Sequence, residues 1–215
     1  MIEISAPPRR IVTDRLLLRP YKRADAPLLK DAVDSSLEHL REFMNWAWFA
    51  PEPLGVIEER MEEFGRAFDR EERWIYAMFA RDGSELLGGA GLHRRVGPEA
   101  LEIGYWLRAS RVGRGLATEA AAALTRVALE CCHAVRVEIH IDPANAASLA
   151  IPARLGYVLD ATLRRRLPPI RDGEERRDAM VFSILDEEYP ASPAAKLQTA
   201  QFDRPAPGSC QPSSP

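Results

Sequence analysis

The chain has 215 residues, carries 29 Lys and Arg against 32 Asp and Glu for a formal net charge of -3, and is 46% hydrophobic. That length suits one well-buried domain rather than two, and the near-neutral balance argues against a surface that holds nucleic acid through its phosphates. No run of about twenty apolar residues occurs and no basic-then-apolar leader opens the chain, so a cytoplasmic protein without a membrane partner is expected.

Residues 12–20 alternate partly and stop at Pro20, which predicts a first strand ending in a turn. Asp25 looks like a helix cap, with Pro27 in the first turn and Leu28, Leu29, Ala32, Val33, Leu37 and Leu40 on one side at helical spacing, so a helix is expected over residues 26–41. An aromatic and proline-rich connection follows with Trp46, Trp48, Phe49, Pro51 and Pro53. A second helix would then bury Ile57, Met61, Phe64 and Phe68. From Trp74 the period changes to two. Residues 74–80, 86–93 and 101–107 read as three antiparallel strands separated by Asp82-Gly83 and Gly97-Pro98.

A glycine-bearing segment leads into residues 116–132, whose Ala and Leu content predicts a long helix with Ala117, Ala120, Leu124, Val127 and Cys131 on its core stripe. Residues 135–141 alternate as a strand, 145–155 have helical content, and 157–165 with 179–185 look like a closing strand pair. Beyond Tyr189, Pro, Ser, Ala and Gln take over, so the domain is expected to span residues 1–189 and residues 190–215 to form a disordered tail. The whole reads as an α+β domain on one mixed sheet. Cys131, Cys132 and Cys210 fit neither a disulfide framework nor zinc-ligand spacing, and no metal is expected.

The chemistry concentrates at Arg111-Val112-Gly113-Arg114-Gly115-Leu116-Ala117. Glycines let the backbone curl there, and the start of a helix presents unpaired N–H groups and a positive dipole end to an anion such as a diphosphate. The same residues also fit a plain tight turn before a helix. They do not fit a nucleoside-triphosphate loop, which needs Gly-Lys-Ser/Thr, nor a dinucleotide fingerprint, where Thr118 takes the place of the third glycine.

Downstream stand Asp142-Pro143-Ala144-Asn145-Ala146-Ala147-Ser148 and Arg154-Leu155-Gly156-Tyr157. Upstream stand Thr13-Asp14-Arg15-Leu16-Leu17-Leu18-Arg19-Pro20, Glu38-His39-Leu40-Arg41 and Glu102-Ile103-Gly104-Tyr105-Trp106-Leu107. In this order the set resembles the GNAT acetyltransferase superfamily, in particular its RimJ/RimL-type branch, over nearly everything except the tail. The resemblance implies a GNAT fold, a mixed and mostly antiparallel sheet flanked by helices, with acetyl-CoA in the gap between two strands that splay apart, here residues 101–107 and 135–141. It implies cofactor contacts from Tyr105, Trp106 and Leu107 on the strand and from Val112, Gly113, Arg114, Gly115, Leu116, Ala117 and Thr118 around the loop. Val112 departs from the family's loop pattern, which has Gln or Arg at that position, at the cost of one side-chain contact.

Acetyl transfer needs a base to deprotonate the amine and a proton donor for the departing thiolate. By resemblance Glu102 is the expected base, acting through a water; the bare alternative is a carboxylate paired with an arginine. Many family members carry a thiolate-protonating tyrosine where this chain has Pro152, so Ser148 is the expected donor, although it could equally cap the following helix. A helix running through Pro152 would also leave the Ser148 carbonyl without its N–H partner. A carboxylate used by some RimL-like enzymes would fall near Leu167, which cannot replace it. Asn145 is expected to bond the pantetheine arm, to cap the helix, or both. Trp46, Trp48 and Phe49 either line an amine groove facing residues 167–177 or belong to the core. The acceptor is expected to be a protein N-terminus, with a small amine such as a polyamine or an antibiotic as the alternative. A non-catalytic acyl-CoA sensor and an unrelated nucleotide enzyme remain as competing readings, and self-association into a homodimer is left open.

Overall fold

A computed structural model describes residues 4–197 and 200–202. The chain opens with β1 (Ile11–Val12) and β2 (Leu16–Pro20), followed by α1 (Ala26–Asp34), α2 (Leu37–Arg41) and α3 (Leu54–Asp69). Next come β3 (Trp74–Ala80), β4 (Leu86–His93), β5 (Ala100–Leu107), α4 (Leu116–Glu130), β6 (Arg136–Ile141) and α5 (Ala146–Leu155). β7 (Val158–Leu167), β8 (Arg177–Leu185), α6 (Pro193–Lys196) and β9 (Gln201–Phe202) complete the described chain. One nine-stranded sheet runs in the order β7-β8-β6-β5-β4-β3-β2-β1-β9. Its pairs are antiparallel except β5 with β6.

Two expected elements are broken. The first strand is a tight hairpin closed by the Thr13 N–H donating to the Leu16 carbonyl at 2.9 Å, so Ile11 lies opposite Leu18. The helix expected over residues 26–41 divides at two serines. Ser35 Oγ donates back to the Asp31 carbonyl at 2.6 Å, and the buried Ser36 turns its hydroxyl to accept from the Ala109 N–H at 3.0 Å. Such side-chain bonds compete with the helical ladder.

Each face of the sheet carries helices over its own core. On one face α4 packs against β4, β5 and β6, and its burial extends beyond one stripe: Ala120 through Thr125 are all inaccessible, while Ala117 and Cys131 at the ends of the expected stripe are only partly covered. The alanines bring the helix close to the sheet at no loss of helix propensity. On the other face α1 and α3 bury Leu29, Val33, Ile57 and Met61 against Ala77 and Phe79.

The expected tail is corrected at its start. After Tyr189 the chain forms α6, capped by Ser192 Oγ accepting from the Ala195 N–H at 3.2 Å, with Ala194 fully buried, and β9 then pairs with β1. Gly156, which ends α5, has φ +83°, and a Cβ there would lie 2.6 Å from Pro193 Cδ, so this glycine both turns the chain and admits α6. The remainder of the expected tail, residues 198–199 and 203–215, lies outside the described residues.

Candidate active site

The parallel pairing of β5 with β6 covers Ala100–Arg136, Leu101–Val137 and Glu102–Glu138, and stops there. Beyond it the strands part, since β6 stays paired to β8 as far as Ile141 and β5 stays paired to β4 as far as Leu107. A cleft of about 680 Å³ passes through this opening. Strand alternation divides its walls. Ile103, Tyr105, Ile139 and Ile141 face α4 and α5, whereas Glu102, Gly104, Trp106 and His140 face α1 and α3. One opening is therefore reached from both faces of the sheet.

On the α4 side, Gly113 and Gly115 adopt φ +73° and +75°, the left-handed region in which a Cβ is costly. Gly113 has nothing within 4 Å of its Cβ position. The Glu119 N–H donates to the Gly115 carbonyl at 3.0 Å, so the amides of Gly113, Arg114, Gly115, Leu116, Ala117 and Thr118 precede the bonded ladder of α4. Leu116 is buried and Ala117 packs on the core, which leaves their backbone for a ligand. Arg15 braces the turn, donating to the Arg114 carbonyl at 2.8 Å and pairing with Glu119 at 2.6 Å.

Asn145 Oδ1 accepts from the Ser148 N–H at 3.1 Å, so the cap of α5 is Asn145, and Ser148 lies in the first turn with its hydroxyl lining the cleft. α5 continues through Pro152. Beside Ser148, the Tyr105 hydroxyl is buried and has no hydrogen-bond partner among the described residues. Burial pushes this phenol up, with the neighbouring Ser148 hydroxyl acting weakly the other way without completing a bond. A buried, unpartnered phenol at an open gap and an unobstructed glycine turn at a helix start together fit the thioester and diphosphate ends of acetyl-CoA.

On the α1 side, both Glu102 oxygens accept from Arg95, at 2.7 Å from Nε and 2.5 Å from a terminal nitrogen. Burial pushes the Glu102 carboxyl up, but Arg95 outweighs it and the net displacement is downward. His140 Nε2 lies 2.6 Å from Glu138 Oε2, and its Nδ1 lies 3.8 Å from Glu102 Oε2. Glu138 also accepts from Arg136 Nε at 2.6 Å. His93, held uncharged by burial, lies beside Gly91 and Gly104.

Three expectations need correction. Glu102 is not a free carboxylate, since an arginine covers both its oxygens. The Trp106 side chain packs on the α1–α3 side against Trp46, with centroids 5.7 Å apart, so only its backbone is available to a ligand on the α4–α5 side. Trp48 is absent from the walls that Trp46 and Phe49 help form; its ring is stacked between Arg41 at 4.8 Å and Arg171 at 3.9 Å. Arg95, Glu138, His140 and His93 were missed by the sequence reading. The signal available was the spacing of Glu138 and His140, two polar residues on one face of a strand that needs both faces covered.

A strand pair that opens onto a helix-start glycine turn defines an acyl-CoA-dependent transferase. The acetyltransferase (GNAT) domain model matches residues 15–158, and the chain belongs to that family: it is an acetyl-CoA-dependent N-acetyltransferase. Among Bacillus subtilis (strain 168) proteins, "Putative ribosomal N-acetyltransferase YdaF" is 27% identical over 183 residues, covering 83% of this chain and 95% of that protein. The uncharacterized N-acetyltransferase YnaD of the same strain is 25% identical, covering 83% and 98%. Among solved structures, RimL, described as a ribosomal L7/L12 α-N-protein acetyltransferase in complex with coenzyme A, superposes with TM-score 0.71 at 20% identity, covering 81% of this chain and 96% of that one. The likenesses to YdaF and RimL support the RimJ/RimL-type branch. No helix among the described residues is long and apolar enough to cross a membrane.

Proposed function

We propose that the chain moves the acetyl group of acetyl-CoA directly to the α-amine of a protein or peptide N-terminus, with both substrates bound at once. The observation that carries this is the cleft at the β5–β6 separation, which is lined from both the α4–α5 face and the α1–α3 face of the sheet, so that one substrate can enter from each. Phe49 is 77% exposed at the mouth of the acceptor side, and Trp46 beside it is 38% exposed. An open aromatic mouth suits a chain end whose following residues must leave the site. The names carried by YdaF and RimL support the same acceptor class.

Acetyl-CoA supplies a thioester carbonyl carbon that an amine can attack. In this reading the amides from Gly113 to Thr118 hold the diphosphate, assisted by the α4 dipole. The edge of Tyr105, Trp106 and Leu107 that faces away from β4, where β6 no longer pairs, receives the pantetheine arm, with Asn145 at its side. Ser148, next to the Tyr105 phenol, donates the proton to the departing sulfur. Glu102, fixed by Arg95 and held below its ordinary carboxylate range, presents a negative charge that draws in the ammonium form of the acceptor.

Incubation with acetyl-CoA and a panel of N-terminal peptides, polyamines and aminoglycosides, followed by thiol release, tests the proposal. Peptide α-amines are expected to turn over. Turnover restricted to small amines would replace the protein acceptor with a small-molecule one.

A further inference from the structure

Glu102 cannot readily accept a proton, and the residue placed to do so is on the neighbouring strand. Glu102 and Glu138 are register partners, and His140 lies two residues beyond Glu138 on the same face of β6. It is therefore at the first outward-facing position past the last paired residues, where the gap begins. Gly104, in the adjacent row of β5, carries no side chain, and the space at its Cβ position is bordered by the His93 ring, whose Nε2 would lie 3.2 Å from a Cβ there.

The hydrogen bonds decide which ring nitrogen is bare. An ionised carboxylate only accepts, so the 2.6 Å contact with Glu138 requires the proton on Nε2. In the neutral ring the lone pair is then on Nδ1. Nδ1 faces Glu102 Oε2 at 3.8 Å, two acceptors with no proton between them. An ammonium has three N–H groups and can satisfy both.

We propose that His140 Nδ1 is the base that deprotonates the acceptor amine, with Glu138 as its positioning residue and the Arg95–Glu102 pair as the fixed counter-charge. This rests on the acetyl-transfer reading above. One N–H bond of the ammonium breaks with its electron pair left on nitrogen, and the proton binds Nδ1. The imidazolium so formed lies between two carboxylates. Acetyl transfer then exchanges the thioester C–S bond for a C–N bond, the amine's second proton ends on sulfur, and His140 releases its proton to water.

The charges facing the ring are accounted for. Glu138 is shared with Arg136, Glu102 with Arg95, and Asp142 with Arg177, while His93 is uncharged. On the helical side of the cleft, Glu52 pairs with Arg60 and Asp34 with Lys30.

Three measurements test the assignment. Nitrogen NMR of the histidine rings, without substrates and above neutral pH, is expected to find His140 protonated on Nε2 and bare on Nδ1. His140→Gln is expected to lower kcat/KM for the acceptor by about 100-fold, to abolish the acidic limb of its pH profile, and to leave coenzyme A affinity by calorimetry within about twofold. Glu138→Gln is expected to move that limb to lower pH, because loss of the carboxylate disfavours the imidazolium. A proton on Nδ1 in the NMR spectrum, or an unchanged acidic limb in either variant, overturns the proposal. The NMR measurement stands even where His140→Gln does not fold. If no amine on the panel is acetylated, the acceptor reading fails, while the state of the ring is still decided without substrate.

Discussion

Glu102 of β5 and Glu138 of β6 lie opposite each other at the last paired position before the two strands separate. Like charges so placed repel, and each is held by its own arginine: Arg95 covers Glu102 and Arg136 binds Glu138. The polar row where the cleft opens is thus two ion pairs side by side, with the His140 ring bridging toward both carboxylates.

Removal of Arg95 should make this row sensitive to pH. The Glu102 carboxyl is displaced downward in the folded protein, so its contribution to stability is present above the ordinary carboxylate range and is lost as pH falls through the folded value. In Arg95→Gln burial acts on Glu102 without its guanidinium partner, and the carboxyl moves up. The variant is expected to lose about 1 to 2 kcal/mol at pH 7, less than for a fully enclosed pair because the Arg95 side chain is largely in solvent. Urea unfolding across pH checks this: the difference from wild type should narrow as the pH falls below the ordinary carboxylate range and through the lowered folded value of Glu102. A difference independent of pH contradicts it.

The glycine turn permits a cleaner separation of folding from binding. Gly113 is at φ +73° with open space at its Cβ position, so Gly113→Ala pays only the left-handed backbone penalty of about 1 kcal/mol. If the turn holds a diphosphate, the added methyl group stands where the ligand approaches, and coenzyme A affinity by calorimetry is expected to fall about tenfold or more. Equal affinities for variant and wild type would remove the diphosphate from this turn.

Much of this architecture was legible because it depends on local signals. The period-two runs delivered β3, β4 and β5, and the Ala and Leu content delivered α4, each within two residues of its observed ends. The break between α1 and α2 was not legible, since it depends on Ser36 meeting the Ala109 amide 73 residues away in sequence. The tail was misread for a related reason: Pro193 and Ala194 look like linker composition, and only contact with Gly156 and α4 makes them core. At the site, the loop and Ser148 were legible as candidates because they lie in ordered motifs. His140 and Arg95 were missed because their meaning comes from the register of β5 against β6, and no single stretch of chain contains it.

The Tyr105 phenol tests whether the gap is built for a ligand. Its hydroxyl is buried without a partner, a condition that lowers the stability of the protein alone. Tyr105→Phe removes that cost, and the ligand-free variant is expected to melt at or above the wild-type temperature, by up to about 1 kcal/mol in stability. Coenzyme A should then raise the variant's melting temperature less than it raises that of the wild type. A variant less stable without ligand, yet equally stabilised by it, would make the phenol a structural group.

The contact between Arg171 and Trp48 joins the β7–β8 loop to the segment before α3, on the two sides of the proposed acceptor mouth. The guanidinium is 3.9 Å from the ring centroid, and Arg41 takes the other contact at 4.8 Å. A cation over an indole contributes about 0.5 to 1 kcal/mol where solvent has access, so Arg171→Ala should loosen the loop without unfolding it. Leu167, Pro168 and Arg177 at the base of the same loop line the cleft, whereas the Gly113–Gly115 turn proposed for the diphosphate leads into α4 on the far face of the sheet. The expected result is a rise of about two- to fivefold in acceptor KM, the factor that free energy converts to, with coenzyme A affinity unchanged. Steady-state kinetics with the acceptor varied at saturating acetyl-CoA measure it. If acceptor KM is unchanged while coenzyme A binding weakens, the acceptor enters elsewhere and the two faces of the cleft have been assigned to the wrong substrates.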